Sequence, residues 1–237
     1  MQTSATTHAP PALIHGVWNT LSLLESRSTS LSYAPTHCTL VASLDGNKAE
    51  LASHTLSFLE ELTRASYELA STLLCSSVLT GRTSESDDYG DVGLWIGDLK
   101  HGTAAEVLTR LGLDSWLKQG AKVSSGSGSH PLCISSQLRV LSQIVSGPAL
   151  PSPLPAAVTS IQGGDSSPSE TPQVHLEALS QLLSNLELPF EFRVEGLGGG
   201  YVIYFLCGKL SHTRGGFAQD EGYAGLVGVG VSADVDE

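Results

Sequence analysis

Two apolar, β-prone runs near the carboxyl end constrain the fold of this 237-residue chain more than any other feature. Residues 201–207 and 222–231 are rich in Val, Leu and aromatic side chains, which favour extended backbone. Glycines precede the first run and recur within the second. We therefore expect the two runs to form a β-hairpin at the centre of a sheet, which other elements of the chain must cover.

Three further runs predict strands, at residues 36–44, 92–97 and 189–195. The second is apolar throughout, which is typical of a central strand, and the third alternates apolar and charged residues, which is typical of a strand with one face in water. Together with 200–207 and 222–231 they predict a central mixed sheet of about five strands. The first two strands are each followed by a polar turn and a helix, a pattern typical of parallel strands, and the last three predict an antiparallel meander. The predicted fold class is therefore mixed α/β, or α+β, with helices packed on the sheet.

Four segments have the spacing of amphipathic helices, because apolar residues recur in them every three or four positions. Two of these segments open on a capping box, in which an N-cap side chain and an acidic side chain three residues later exchange hydrogen bonds with the backbone. The N-cap residues of the two boxes are Asn47 and Thr103. The four segments are residues 12–25, 47–81, 103–118 and 174–186.

The same patterns predict one domain over residues 12–237. The hydrophobic fraction of 41% is enough for a chain of this length to bury a sizeable core. Residues 1–11 are expected to be a disordered arm. Residues 147–172 are rich in Pro, Ser and Gly, which predicts a low-complexity insertion within the domain.

The charge of the chain indicates which classes of partner it can bind. There are 24 acidic residues against 12 basic ones, which gives a formal net charge of −12 at pH 7, and the basic residues are scattered singly. Non-specific binding to nucleic acid or to anionic membranes needs clustered Lys and Arg. We therefore expect this chain to bind neither. Residues 1–11 do not have the basic and apolar segments of a secretory signal, and no apolar run reaches the roughly 18 residues that span a bilayer, so we expect neither a leader nor a membrane span. We expect a cytoplasmic or nuclear protein with no membrane insertion.

Motifs that would indicate catalysis or a bound cofactor do not occur in a suitable context. The glycines at 196–200 precede a strand, whereas a phosphate-binding loop requires the N-terminus of a helix after the glycines. The sequence contains no P-loop, no His-Glu-x-x-His and no Gly-x-Ser-x-Gly before a helix, and its Gly126-Ser-Gly-Ser stretch lies in a Ser-rich linker. The four cysteines are far apart, which argues against a zinc site or a disulfide framework. The sequence therefore predicts no cofactor and no metal site.

Alternating glycines in the last strand suggest a surface that something approaches closely. In a strand, Gly228 and Gly230 share one face while the valines between and around them share the other. A helix of the same protein, a partner chain or a ligand could cover the flat groove that the glycines leave. The long polar loop before this strand contains Arg214, which could bind an anion. Gly228, Gly230 and Arg214 are therefore the candidate partner-binding residues.

Turn residues after the first two strands offer a second candidate site. Asp45 and Asp98 follow the predicted strands directly, and His101 lies three residues after Asp98. Ligands of open α/β sheets bind at the carboxyl ends of parallel strands, where two carboxylates can hold Mg²⁺ or act as acid and base. The alternative is ordinary turn chemistry, since Asp is common in turns for its side-chain hydrogen bonds.

Two functions follow from these observations. The first is a non-catalytic intracellular interaction protein, a subunit or adaptor of a protein complex, because catalytic signatures are missing while a glycine-faced strand and acidic loops are present. The alternative is a small α/β enzyme that acts on a phosphorylated or other small ligand at Asp45, Asp98 and His101.

Overall fold

The structure is a computed structural model, which describes residues 11–34, 38–42, 51–81, 84, 88–125, 172–210 and 220–232. Within these residues a seven-stranded mixed sheet is packed by helices on both faces. The strands are β1 (Leu31–Ala34), β2 (Thr39–Ala42), β3 (Val92–Gly97), β4 (Lys122–Ser125), β5 (Leu186–Glu195), β6 (Tyr201–Leu210) and β7 (Gly222–Val231). The helices are α1 (Pro11–Arg27), α2 (Ser53–Thr72), α3 (Ala104–Arg110), α4 (Asp114–Lys118) and α5 (Pro172–Leu183).

The strand order across the sheet is β1-β2-β3-β7-β6-β5-β4. Strands β2 and β3 run parallel, and the other neighbouring pairs are antiparallel. The predicted mixed class, the parallel pairing of the first two predicted strands and the carboxyl-terminal meander are confirmed. The central position of β7 also agrees with its apolar, glycine-rich sequence, since both of its edges and both of its faces are covered.

The predicted number of five strands is wrong, because the sheet has seven. The two missed strands, β1 and β4, have four residues each and lie at the two edges of the sheet. Both lie in or beside Ser-rich stretches, whose composition resembles that of a loop. Their extended conformation comes from pairing with β2 and β5 rather than from an apolar pattern of their own. Short polar edge strands are a common means of preventing further strand addition.

Helix α2 is shorter than the predicted span of 47–81, and its N-terminus is capped from a distant part of the chain. The predicted capping box at Asn47 lies outside the described residues. Asp220, two residues before β7, accepts hydrogen bonds from the Ala52 amide at 2.8 Å and from the Thr55 hydroxyl at 3.0 Å. A carboxylate at this position also interacts favourably with the helix dipole. The start of β7 is thereby fixed to the start of α2.

The single helix predicted over 103–118 is two helices, α3 and α4, separated by a turn in which Gly112 has a φ of +67°. The predicted capping box at Thr103 is confirmed. The Thr103 hydroxyl accepts a hydrogen bond from the Glu106 amide, and the Glu106 carboxylate accepts one from the Thr103 amide, both at 3.3 Å. This box fixes the direction of the chain as it leaves β3.

Replacing Thr103 with Ala is expected to reduce the free energy of unfolding by about 1 kcal/mol, because one amide of the first turn loses its acceptor. Urea denaturation followed by circular dichroism measures the change. Thr109→Ala is a matched control, since Thr109 is an exposed residue of the same helix outside the cap. Equal stability of the two variants would show that the cap contributes nothing.

The two faces of the sheet have separate hydrophobic cores. The first face, which includes Val227 and Val229, packs against α1, α3 and α4, with Trp116 fully buried. The second face, which includes Trp95 and Leu226, packs against α2 and α5. Alternate residues of β7 therefore enter different cores.

Two of the predicted segments lie largely outside the described residues. Residues 1–10 of the predicted arm and residues 147–171 of the predicted insertion are not described, and helices α1 and α5 begin directly after them at Pro11 and Pro172. In the described part of the chain, no helix combines the length and the apolar character needed to cross a membrane.

Candidate functional site

The second face of the sheet carries the predicted glycine surface. Gly228 lies opposite Tyr204 of β6, and Gly230 lies opposite Val202. The segment that follows α2, residues 77–81, lies over this surface, and we call it the covering segment. A Cβ atom placed on Gly228 would overlap the Asp91 carboxylate and approach the Ser77 hydroxyl to 2.9 Å. Gly228 is therefore covered by the protein itself.

A buried carboxylate holds the covering segment in place. Asp91, only 4% exposed, precedes β3 and accepts hydrogen bonds from the Ser66 and Ser77 hydroxyls at 2.5 Å each. The amides of Val78 and Leu79 donate to the same carboxylate at 2.7 and 3.4 Å. We call these five residues the Asp91 cluster. The cluster connects α2, the covering segment and the start of β3. Its role is therefore to stabilise the fold.

Burial raises the pKa of Asp91, and the hydrogen bonds that it accepts offset part of this rise. Desolvation disfavours the charged carboxylate, whereas the two hydroxyls and two amides favour it. The segment's own polar groups therefore take the place of the water that an exposed aspartate would have.

Gly230 has a different environment from Gly228. A Cβ atom on Gly230 would lie 3.2 Å from Cγ2 of Thr80 and 3.3 Å from Cε2 of Tyr204, which are side-chain atoms that can shift. Beside Gly230 the surface opens into a cleft of about 250 Å³, which we call the Gly230 cleft. The side chains that line it include Ser84, Arg193, Glu195, Val202, Tyr204 and Ser232.

An ion pair borders the Gly230 cleft. Arg193 and Glu195 both project from β5 on the second face, and Nε of Arg193 lies 2.6 Å from Oε1 of Glu195. The Nε–H group does not point at an acceptor closely enough to count as a hydrogen bond, so the contact is an ion pair only. The two side chains are 32% and 28% exposed. Charged groups at the border and aliphatic and aromatic groups inside are the arrangement found at protein interfaces.

A second, more open groove of about 350 Å³ lies at the carboxyl end of β3. Asp98, Lys100, Glu106 and Arg110 line it, but two of these side chains are already engaged. Glu106 belongs to the capping box, and Nε of Arg110 donates to the Ile96 carbonyl at 3.1 Å. The groove is therefore lined by exposed turn residues and by two side chains that already stabilise the fold.

The pKa of Glu106 is lower than usual. Desolvation is the largest single effect and raises the pKa, but hydrogen bonds from the amides of His101 and Thr103, with smaller contributions, together lower it by more. These hydrogen bonds stabilise the charged carboxylate, which is what a capping box requires. A general acid at neutral pH would need the opposite shift.

The structure places the predicted site residues in three different environments. Asp98 and His101 lie in one turn, and both are exposed. Gly228 and Gly230 are buried in β7, the first beneath the covering segment and the second beside the cleft. The other two residues, Asp45 and Arg214, lie outside the described residues.

The Asp91 cluster and the Arg193–Glu195 pair are not among the residues predicted from the sequence. Asp91 follows two other aspartates, Asp87 and Asp88, closely in the sequence, and no local pattern distinguishes it from them. Arg193 and Glu195 do have a signal, because the alternation in 189–195 places both on the same face of a strand. That alternation predicted a wet face but not the cleft beside it.

Among the described residues, no group of three or more His, Cys, Asp or Glu side chains is arranged to hold a metal ion. Compared with known proteins, the chain matches no family model, no curated protein and no solved structure. The function must therefore be inferred from the geometry of the chain itself.

Proposed function

We propose that this chain is a non-catalytic interaction protein, a subunit or adaptor of an intracellular complex, which binds a protein partner at the Gly230 cleft. The observation that supports the proposal is the cleft on the second face of the sheet. Val202 and Tyr204 line it beside Gly230 and offer apolar contacts, and its charged border supplies polar contacts. Interfaces commonly depend on one side chain that fills such a pocket within a polar surround.

The size and chemistry of the cleft favour a protein side chain over a small molecule. Its volume of about 250 Å³ is below the usual 300–1,000 Å³ of small-molecule sites. Arg193 is paired with Glu195, so the cleft offers no unbalanced charge for an anionic substrate. A cleft of this kind accommodates one large side chain of a partner.

The overall charge favours a protein partner over nucleic acid or an anionic membrane. The formal net charge of −12 repels nucleic acid and anionic lipid surfaces. Basic proteins are attracted to such a surface, and electrostatic attraction mainly increases the rate at which the two molecules meet.

Arg193→Ala is expected to weaken partner binding at least about tenfold, which corresponds to about 1.4 kcal/mol, because the border of the cleft loses its cation. The partner would first be identified by placing a photo-crosslinking residue at position 232, which lines the cleft outside the ion pair, in the full chain and analysing the products by mass spectrometry. The dissociation constant of the purified partner is then measured for the wild type and the variant.

Lys118 provides the matched control for both steps. It also forms an ion pair, with Asp114 at 2.9 Å, but it lies on α4 beside the opposite face of the sheet. A crosslinker at position 118 is expected to capture no partner, and Lys118→Ala is expected to leave the affinity unchanged. If Arg193→Ala and Lys118→Ala bind the partner equally well, the cleft is not the binding site.

The alternative function, a small α/β enzyme, is favoured only by the groove at the carboxyl end of β3. Asp98 lines it, and the end of the parallel neighbour β2 lies at the same edge of the sheet. We expect Asp45→Ala and Asp98→Ala to fold normally and to retain partner binding. Loss of Mg²⁺ binding in these variants, measured by titration calorimetry, with no change in partner affinity would support the enzyme instead.

A further inference from the structure

We draw no further inference here: the strongest candidate, the outer edge of β5 over residues 186–191, with which no strand of the described residues pairs, carries nothing because nothing in the structure shows what covers it.

Discussion

Replacing Asp91 with Ala is expected to reduce the free energy of unfolding by about 4 kcal/mol, a large part of the stability of a typical domain. The carboxylate is the common acceptor for two hydroxyls and two amides, all of them buried. Without it, these donors stay away from water with no partner, and each unsatisfied donor costs about 1–3 kcal/mol. Urea denaturation followed by circular dichroism gives the value.

Two comparison variants separate the loss of hydrogen bonds from other effects. Asp91→Asn keeps the volume but replaces one acceptor oxygen with a donor group, so it is expected to be nearly as destabilising. Asp98→Ala removes an exposed carboxylate and is expected to change the stability by less than about 0.5 kcal/mol. An Asp91→Asn variant as stable as the Asp98→Ala variant would show that the Asp91 cluster does not hold the covering segment.

Because the pKa of Asp91 is raised, its contribution to the free energy of unfolding depends on pH. Between the ordinary pKa of an aspartate, about 4, and the higher value in the folded protein, the folded state binds a proton that the unfolded state has released. The contribution of Asp91 to stability therefore decreases as the pH rises through this window. The Asp91→Asn variant lacks this contribution, so the stability difference between wild type and variant is expected to shrink as the pH rises from about 4.

Replacing Gly228 with Ala is expected to reduce the free energy of unfolding by about 3 kcal/mol, whereas Gly230→Ala should reduce it by about 1 kcal/mol or less. At Gly228 the new methyl group overlaps the Asp91 carboxylate, and Leu79 Cβ is only 3.1 Å away, so the covering segment must move. At Gly230 the nearest atoms, in Thr80 and Tyr204, belong to side chains. Parallel denaturation curves of the two variants test this difference directly.

The same pair of glycines also tests the proposed binding site. A side chain at Gly230 narrows the cleft, so Gly230→Ala is expected to bind the partner more weakly while the protein remains folded. Gly228→Ala changes binding only to the extent that it changes folding. If Gly230→Ala destabilises the protein as strongly as Gly228→Ala, the second face is filled internally at both positions and the proposed site loses its support.

The central strands could be predicted because their sequences carry the signal themselves. Residues 92–97 and 222–231 are apolar over their whole length, and the structure has strands with the same bounds. The edge strands β1 and β4 could not be predicted, because their conformation depends on pairing partners that are close in space. The irregular register in β5 between Glu187 and Phe190 also has no local signature.

The candidate site could be predicted only in part, for a related reason. The alternation of valine and glycine in β7 shows that one face is flat, but not what lies over it. The covering segment is more than 140 positions away in sequence, and its attachment depends on Asp91 in a third part of the chain. Contacts of this kind follow from the tertiary fold rather than from periodicity.

The position of β7 has a consequence for the synthesis of the protein. β7 pairs with β3 on one side and β6 on the other, so it joins the two halves of the sheet. A ribosome that has completed β3 must add more than a hundred further residues before β7 emerges, which takes on the order of 10 s. During that time the apolar edge of β3 has no partner on the β7 side and is available to the edges of other nascent chains. The yield of folded protein therefore depends on how well the cell protects this edge until translation reaches β7.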